Sequence, residues 1–376
     1  MDTTQALPLL GGLSPQQFMA RHWQKKPLLV RGAIPGFKPV LSRAELFDLA
    51  ARDEVESRMV TQQGTRWELR RGPFTRRALP ALSRPGWTLL VQGVDLHDER
   101  AHALLTQFRF IPHARLDDLM ISYASDSGGV GPHFDSYDVF LLQAQGRRRW
   151  RIGRQKDLSL REGLPLKVLA RFEPEQEWVL EPGDMLYLPP RFAHDGVAEG
   201  ECQTYSIGLR SPARAELGRE LLQRLSDEAA DAAGEPLYRD PGQPATMEPG
   251  AIPPRLQVFA RDAVQAALKD PLALDRALGE YLTEPKPGIW FEAAASRAAI
   301  RHLSLDRRSR MMYDAKHVFI NGESYRASGR DAVLMRALAD RRRLTPAEVA
   351  GASQAARDLL RSWCDAGWAH PTKAWR

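Results

Sequence analysis

Two histidines and one aspartate have residue types and a spacing suited to holding a metal ion. His133 and Asp135 stand two residues apart at the start of a strand-like segment, and His194 follows 61 positions after His133. Side chains at positions i and i+2 of a strand point to the same face, so His133 and Asp135 can reach one ion together. Two imidazoles and one carboxylate leave the opposite coordination positions open, which is the ligand pattern of non-haem Fe(II) oxygenases. Zinc accepts the same ligands, so these residues alone do not determine which metal binds.

The setting of His194 favours a ligand over a structural or surface histidine. It ends a Gly183-x5-Pro189-x4-His194 pattern that has strand-like segments on both sides. A turn, a strand and a second turn can return the chain to the end of a barrel where His133 lies. We therefore predict that His133, Asp135 and His194 converge on one metal ion.

A run of basic residues contains one arginine that the strand pattern turns inward. In the segment from 147 to 152, Arg148 alternates with Trp150 and Ile152, so the three share a face. A buried guanidinium without an anion is costly, and its planar fork matches a carboxylate. This predicts that Arg148 binds the far carboxylate of a dicarboxylate cosubstrate whose other end lies on the metal. An internal ion pair with Asp or Glu is the alternative.

The elements around these residues predict a β-barrel or a double-sheet jelly roll, followed by helices. Short strand-like segments joined by Gly/Pro turns extend from Trp87 to Arg210, and residues 137–143 and 147–152 read as two strands joined by a turn. Helical patterns follow over 213–233, 255–269 and 272–282. The end of the chain has the order helix, short helix, helix and extended segment, which is typical of a winged helix. The fold class is therefore α+β.

Composition limits the class of protein. A length of 376 residues predicts two or three domains. No apolar run approaches the length needed to span a bilayer, and the first residues lack the features of a secretory signal. The only cysteines, Cys202 and Cys364, exclude a disulfide framework and favour a cytoplasmic setting. A net charge of +6 permits an anionic partner such as a ribosome.

Two sequence blocks carry a resemblance to a known family. Residues 128–140, GGVGPHFDSYDVF, and 146–150, GRRRW, together with 23–29, WQKKPLL, resemble JmjC-type 2-oxoglutarate oxygenases. They are most similar to the bacterial ribosomal oxygenases, which hydroxylate the β-carbon of an arginine in large-subunit ribosomal protein sixteen. The resemblance implies a JmjC domain, a double-stranded β-helix of the jelly-roll or cupin type, over 1–211. It also implies a helical dimerisation segment over 212–285 and a winged-helix domain over 286–376.

The same resemblance implies roles for individual residues. His133, Asp135 and His194 match the Fe(II) ligands, and Arg148 matches the residue that holds the distal carboxylate of 2-oxoglutarate. The remaining candidates lie near the ligands in sequence. Ser122 resembles a second cosubstrate contact, although its hydroxyl could equally be satisfied by the backbone. A cationic arginyl substrate would favour acids and aromatic rings at the barrel mouth, which makes Tyr137 and Asp126 candidate substrate contacts. The expected partners are dioxygen, 2-oxoglutarate and a ribosomal protein.

Other functions fit parts of the sequence. A JmjC-type protein demethylase would use the same metal centre, and a non-catalytic regulator could combine a ligand-sensing cupin with a winged helix. In the last helix Arg357 and Arg361 are offset by Asp358 and Asp365, so we expect no direct DNA binding. The leucines of the helix over 213–233 could be internal core or a dimer face; the resemblance favours a homodimer.

Overall fold

One antiparallel sheet forms the frame of the first part of the chain. The computed structural model describes residues 2–233, 237–293 and 300–372, which divide into two units, Met1–Ser211 and Pro212–Arg376. The strands of the first unit are β1 Leu28–Val30, β2 Ser57–Gln63, β3 Arg66–Arg71, β4 Trp87–Val91, β5 Leu116–Ala124, β6 Val139–Gly153, β7 Gln176–Leu180, β8 Met185–Leu188 and β9 Ala193–Leu209. They pair in the order β1-β8-β6-β9-β5-β4-β2-β3, with β7 added to β6.

The long strands β6 and β9 belong to both halves of the barrel. Near one end β9 lies between β5 and β6, where Thr204 pairs with both Ser122 and Gln143. Near the other end β6 lies between β7 and β9, where Trp150 pairs with Trp178 and Gly196. Two strands shared in this way produce the double-stranded β-helix that the sequence predicts.

Strand β6 differs from its prediction. The two strands predicted over 137–143 and 147–152 are one continuous strand with irregular register at Gln143, Gln145 and Arg147. The Gln143 side chain donates hydrogen bonds to the backbone oxygens of Gln145 (2.9 Å) and Gly146 (3.3 Å). The segment predicted as a turn is thus a bulged region whose carbonyl groups are satisfied internally.

Three helices complete the first unit: α1 Pro15–Arg21, α2 Arg43–Leu49 and α3 Glu99–Thr106. Helix α1 begins with a capping box, because Ser14 and Gln17 exchange side-chain and backbone hydrogen bonds. Helices α2 and α3 and the β2–β3 hairpin were not predicted. The hairpin was missed because β3 is exposed at most of its positions and only two apolar residues, Trp67 and Leu69, alternate with charged ones.

The second unit begins with helices and ends in a winged helix. Its helices are α4 Arg214–Ala233, α5 Pro254–Ala267, α6 Ala273–Thr283, α7 Gly329–Arg341, α8 Pro346–Gly351 and α9 Gln354–Asp365. Its strands are β10 His302–Leu305, β11 Met311–Tyr313, β12 His317–Ile320, β13 Glu323–Arg326, β14 Arg343–Leu344 and β15 Ala369–Thr372. They form two three-stranded sheets, β14-β10-β15 and β11-β12-β13. Residues 234–236, between α4 and α5, lie outside the described part of the chain.

The predicted winged-helix order is confirmed over α7, α8, α9 and β15. Leu338, Leu360 and Trp363 from these helices are buried in one apolar core, and a capping box joins Thr345 and Glu348 at the start of α8. The boundary between the two units falls between Ser211 and Pro212. The division into domains over 1–211, 212–285 and 286–376 stays a prediction. Among the described helices, none combines the length and the apolar character that crossing a membrane requires.

Candidate active site

The predicted metal triad converges at one end of the barrel. His133, Asp135 and His194 each offer a ligand atom, and these three atoms lie within 4.8 Å of one another. The Nε2 atom of His194 is 3.7 Å from a carboxylate oxygen of Asp135. The backbones of His133 and His194 exchange two hydrogen bonds of 3.0 and 2.8 Å. This bridge brings together residues that are 61 positions apart in sequence.

Backbone carbonyl groups orient both imidazole rings. Nδ1 of His133 lies 2.9 Å from the oxygen of Gly131, and Nδ1 of His194 lies 2.9 Å from the oxygen of Phe192. A carbonyl oxygen only accepts, so each Nδ1 carries a proton and each Nε2 is the nitrogen left to bind a metal. Burial, with a contribution from neighbouring His133, lowers the pKa of His194 to about 4. His194 is therefore neutral at neutral pH, as a metal ligand must be.

The buried Arg148 has neutral partners where a charge would be expected. Its guanidinium donates to the hydroxyl oxygens of Ser122 (3.3 Å) and Thr204 (3.4 Å) and to the backbone oxygen of Gly196 (3.1 Å). Arg148 is 3% exposed, and this burial lowers its pKa. Within the described ranges no acidic side chain forms an ion pair with Arg148, and its Nε atom has no hydrogen-bond partner. The predicted alternative of an internal ion pair is therefore not found there, and the site calls for an external anion.

A glycine on β9 makes room for this arginine. The guanidinium carbon of Arg148 lies 5.1 Å from the ring centre of Trp150, in a cation–π contact. A Cβ atom on Gly196 would lie 2.7 Å from the Trp150 ring and 2.8 Å from Nε of Arg148. The absent side chain thus permits the stacked pair to sit against β9.

The metal triad and the arginine line the same cavity. Its volume is about 300 Å³, and its wall includes all three predicted metal ligands with Arg148, Ser122 and Tyr137. The hydroxyl of Ser122 also donates to the backbone oxygen of Thr204 at 3.2 Å, so the predicted backbone partner is found. Its contact with the cosubstrate stays a prediction. Six of the seven predicted site residues are therefore brought together.

Asp126 is the predicted residue that the fold places elsewhere. It is exposed, and its carboxylate accepts a hydrogen bond from the backbone nitrogen of Gly200 at 2.8 Å. It is not part of the cavity wall. Asp126 was predicted as a substrate contact because it lies near the metal ligands in sequence. In the structure it lies in the turn after β5, beyond the last residue that points into the barrel.

Sequence reasoning missed an acid that does line the cavity. Asp118 is 2% exposed and lies on the same face of β5 as Met120 and Ser122, all three in the cavity wall. One of its carboxylate oxygens accepts hydrogen bonds from Gln92 Nε2 (2.7 Å) and from the backbone nitrogen of Gly93 (2.8 Å). Strand alternation from Ser122 would have found Asp118 at i−4.

The donor set and the anion site fit an Fe(II) and 2-oxoglutarate centre. Two imidazoles and a carboxylate match the facial ligand set of such enzymes. The cationic Arg148 in the same cavity matches the remote carboxylate of a diacid. A double-stranded β-helix with this pairing of groups defines the class of JmjC-type 2-oxoglutarate oxygenases.

Comparisons with known proteins agree with this class. A family model described as JmjC domain matches residues 103–217, and one described as ROXA-like winged helix matches residues 262–370. The chain is 36% identical over 273 residues to the ribosomal protein uL16 3-hydroxylase of Escherichia coli K12, covering 72% of this chain and 71% of that protein. It is 38% identical over 205 residues to a probable ribosomal oxygenase of Haemophilus influenzae, covering 53% of this chain and half of that protein.

A solved structure extends the likeness to nearly the whole chain. The E. coli ribosomal oxygenase YcfD in complex with cobalt and 2-oxoglutarate superposes with a TM-score of 0.77 at 30% identity. The match covers 95% of this chain and 98% of that one. The chain belongs to the ribosomal oxygenase family of JmjC-type enzymes.

Proposed function

We propose that this protein is an Fe(II)- and 2-oxoglutarate-dependent hydroxylase that acts on the β-carbon of an arginine in ribosomal protein uL16. The observation that carries the proposal is the shared cavity, where His133, Asp135 and His194 face a buried Arg148 that has no acidic partner among the described residues. The uL16 target comes from the E. coli relative, which is named for it.

Each residue of the cavity has a separate task in this proposal. His133, Asp135 and His194 hold Fe(II), which when bound supplies the activation of dioxygen coupled to oxidation of 2-oxoglutarate. Arg148 binds the distal carboxylate, and the hydroxyls of Ser122 and Thr204 hold the guanidinium in position. Apolar neighbours exclude water from the cavity, which strengthens these polar contacts; they include Val60, Leu90, Met120, Val139 and Leu141.

Asp118 and Tyr137 are the proposed contacts for the substrate arginine. Both line the cavity that holds the metal triad, and Asp118 brings an anionic group into it. A guanidinium pairs with a carboxylate and stacks on an aromatic face, so the two side chains together suit an arginyl group. Asp138, next to Tyr137, points away: its carboxylate accepts from Tyr187 Oη at 2.5 Å.

The deciding experiment is incubation of the full-length protein with Fe(II), 2-oxoglutarate and uL16, followed by intact mass and fragment analysis. We expect the mass of one added oxygen on a single arginine, with succinate formed in equal amount. Loss of a methyl group from a methylated substrate would favour the demethylase instead. The absence of both a mass change and succinate would refute the oxygenase proposal.

The Tyr137→Ala variant separates substrate binding from the metal centre in the same assay. We expect it to raise the KM for uL16 while Fe(II) binding stays unchanged, because Tyr137 is not a proposed ligand. Equal loss of uL16 turnover and metal binding would show that Tyr137 is not a substrate contact.

We further propose that the protein is a cytoplasmic homodimer that associates through the helical segment. Three apolar side chains on α4 and α5 are more than half exposed: Leu222 (65%), Val258 (52%) and Val264 (62%). Burying such side chains against a second copy would remove apolar surface from water. We expect light scattering to give the mass of a dimer, and Val264→Glu to shift it toward the monomer mass. A wild-type monomer would refute this proposal.

A further inference from the structure

One edge of the barrel sheet ends beside the active-site cavity. Strand β3 is the last strand of the sheet, and in the described part of the chain it pairs with β2 alone. The backbone nitrogen of Gly72 donates to the oxygen of Ser57 at 2.9 Å, which fixes the phase of the β2–β3 ladder. In an antiparallel ladder alternate residues then turn their N–H and C=O groups outward. The outward residues of β3 are Trp67, Leu69 and Arg71.

This open edge forms part of the cavity rim. Leu69 lines the cavity and pairs with Val60, another lining residue, which in turn pairs with lining residue Thr88. The ring of Trp67 lies 3.0 Å from where a Cβ of Gly131 would stand, two residues before His133. A further strand along β3 would therefore extend the same sheet face that carries the active site.

The residues of β3 suit strand addition. Between Arg66 and Arg71 there is no proline or register irregularity, so each outward N–H can donate. The side chains on the cavity face, Trp67 and Leu69, are half-buried and largely apolar, whereas the exposed charges of Arg66 and Glu68 lie on the opposite face. An edge strand of this kind is a template for an extended polypeptide, unless charge or cover blocks it.

We propose that the open edge of β3 binds the polypeptide substrate as an added β-strand, so that the side chain to be hydroxylated reaches into the cavity. The inference rests on the proposed function and deepens it by naming how the substrate backbone is recognised. Main-chain hydrogen bonds from Trp67, Leu69 and Arg71 would supply affinity and register, while the cavity would choose the side chain.

The first test uses wild-type enzyme and a peptide that spans the hydroxylated arginine of uL16. Single backbone N-methyl groups are placed at successive residues on one side of that arginine. A methyl group that removes a paired N–H should raise the peptide KM about threefold to tenfold, the effect of one hydrogen bond. The expected result is an alternation, with every second position affected and the positions between them unchanged.

The second test changes the enzyme at an outward N–H. Arg71→Pro removes that donor while the β2 ladder stays intact, and Arg71→Ala is the matched control that keeps it. We expect Arg71→Pro to raise the peptide KM relative to Arg71→Ala, with an unchanged dissociation constant for 2-oxoglutarate. A fall in 2-oxoglutarate binding would identify a folding defect, and the N-methyl series on wild type then decides.

The outcomes distinguish a failure of the β3 edge as a binding site from a failure of the proposed hydroxylase function. Hydroxylation of the unmodified peptide with no alternation in KM, and equal KM values for the two Arg71 variants, overturns the edge as a binding site and leaves the proposed function standing. If neither the peptide nor intact uL16 is hydroxylated, the proposed function is overturned, and the edge proposal fails with it.

Discussion

At the scale of single residues, Arg148 shows how burial converts a side chain into a binding site. Its contacts with Ser122, Thr204 and Gly196 are all to neutral oxygens. Such groups hold a guanidinium in place but do not balance its charge, so an incoming carboxylate gains a partner that is already oriented and desolvated. The same reasoning explains why a planar fork suits the site better than a point charge.

The first prediction concerns the cosubstrate. Arg148→Ala should weaken 2-oxoglutarate binding by about tenfold to a hundredfold, because it removes hydrogen bonds to a charged group. Arg148→Lys, which keeps the charge but not the fork, should lose less. Calorimetric titration of 2-oxoglutarate into Mn(II)-loaded protein measures both variants. An unchanged affinity in Arg148→Ala would place the distal carboxylate elsewhere.

At the scale of elements, the bulged middle of β6 determines which face its second half presents. Gln143 is fully buried and links three groups: its amide nitrogen holds the carbonyls of Gln145 and Gly146, and its oxygen accepts from the Thr204 hydroxyl at 3.0 Å. Thr204 in turn accepts from Arg148. The bulge and Arg148 are therefore joined through two side chains, Gln143 on β6 and Thr204 on β9.

The second prediction tests this link. Gln143→Met has a similar volume but cannot bond to the bulge or to Thr204, and unpaired buried carbonyls cost about 1–3 kcal/mol. We expect a lower melting temperature and a weaker affinity for 2-oxoglutarate. Gln145→Ala is the control, since only its backbone oxygen takes part. If Gln143→Met binds 2-oxoglutarate as tightly as wild type, the link does not act on Arg148.

At the scale of the whole molecule, the chain forms two units, each with its own apolar core. The barrel carries the proposed chemistry, and the winged-helix unit is stabilised by polar contacts of its own. Asp306, 5% exposed, accepts hydrogen bonds from Arg308 (2.7 Å) and lies 2.9 Å from Nε2 of His370 on β15. Burial alone would raise the pKa of Asp306, but the bonds from Arg308 and His370 outweigh it and lower the pKa to about 2.

The third prediction concerns the pH dependence of stability. A carboxylate whose folded pKa lies below its unfolded value of 3.8 contributes stability above pH 3.8, and that contribution disappears as pH falls toward 2. The difference corresponds to about 2 kcal/mol. Asp306→Asn should thus lower the free energy of unfolding by about this amount at pH 7 and by about half as much at pH 3, where the folded carboxylate is still mostly ionised.

Urea unfolding of the full-length protein at both pH values measures the effect. Asp365→Asn, an exposed change on α9, is the control and should leave the unfolding curve nearly unchanged at either pH. A destabilisation by Asp306→Asn that is equal at pH 7 and pH 3 would assign the effect to lost packing instead of charge.

Local pattern was sufficient for the features that depend on a few adjacent residues. The inward phase of Arg148 follows from strand alternation on β6, which holds wherever a strand forms. His133 and Asp135 converge as predicted, but they precede β6, and His133 forms only an isolated bridge with His194. The capping boxes at Ser14 and Thr345 are likewise four-residue motifs with their own hydrogen bonds. The strand and helix patterns predicted the barrel and the winged-helix order, and the family resemblance identified the barrel as a double-stranded β-helix.

Only the tertiary structure decided what depends on pairing between distant segments. The β6 bulge is held by Gln143 and by contact with β9, so no local turn signal could distinguish it from a hairpin. The same pairing leaves Asp126 outside the cavity and places Asp118 inside it. Register across strands is set by long-range hydrogen bonds and by burial of one sheet face. The spacing of neighbouring residues predicts neither of these.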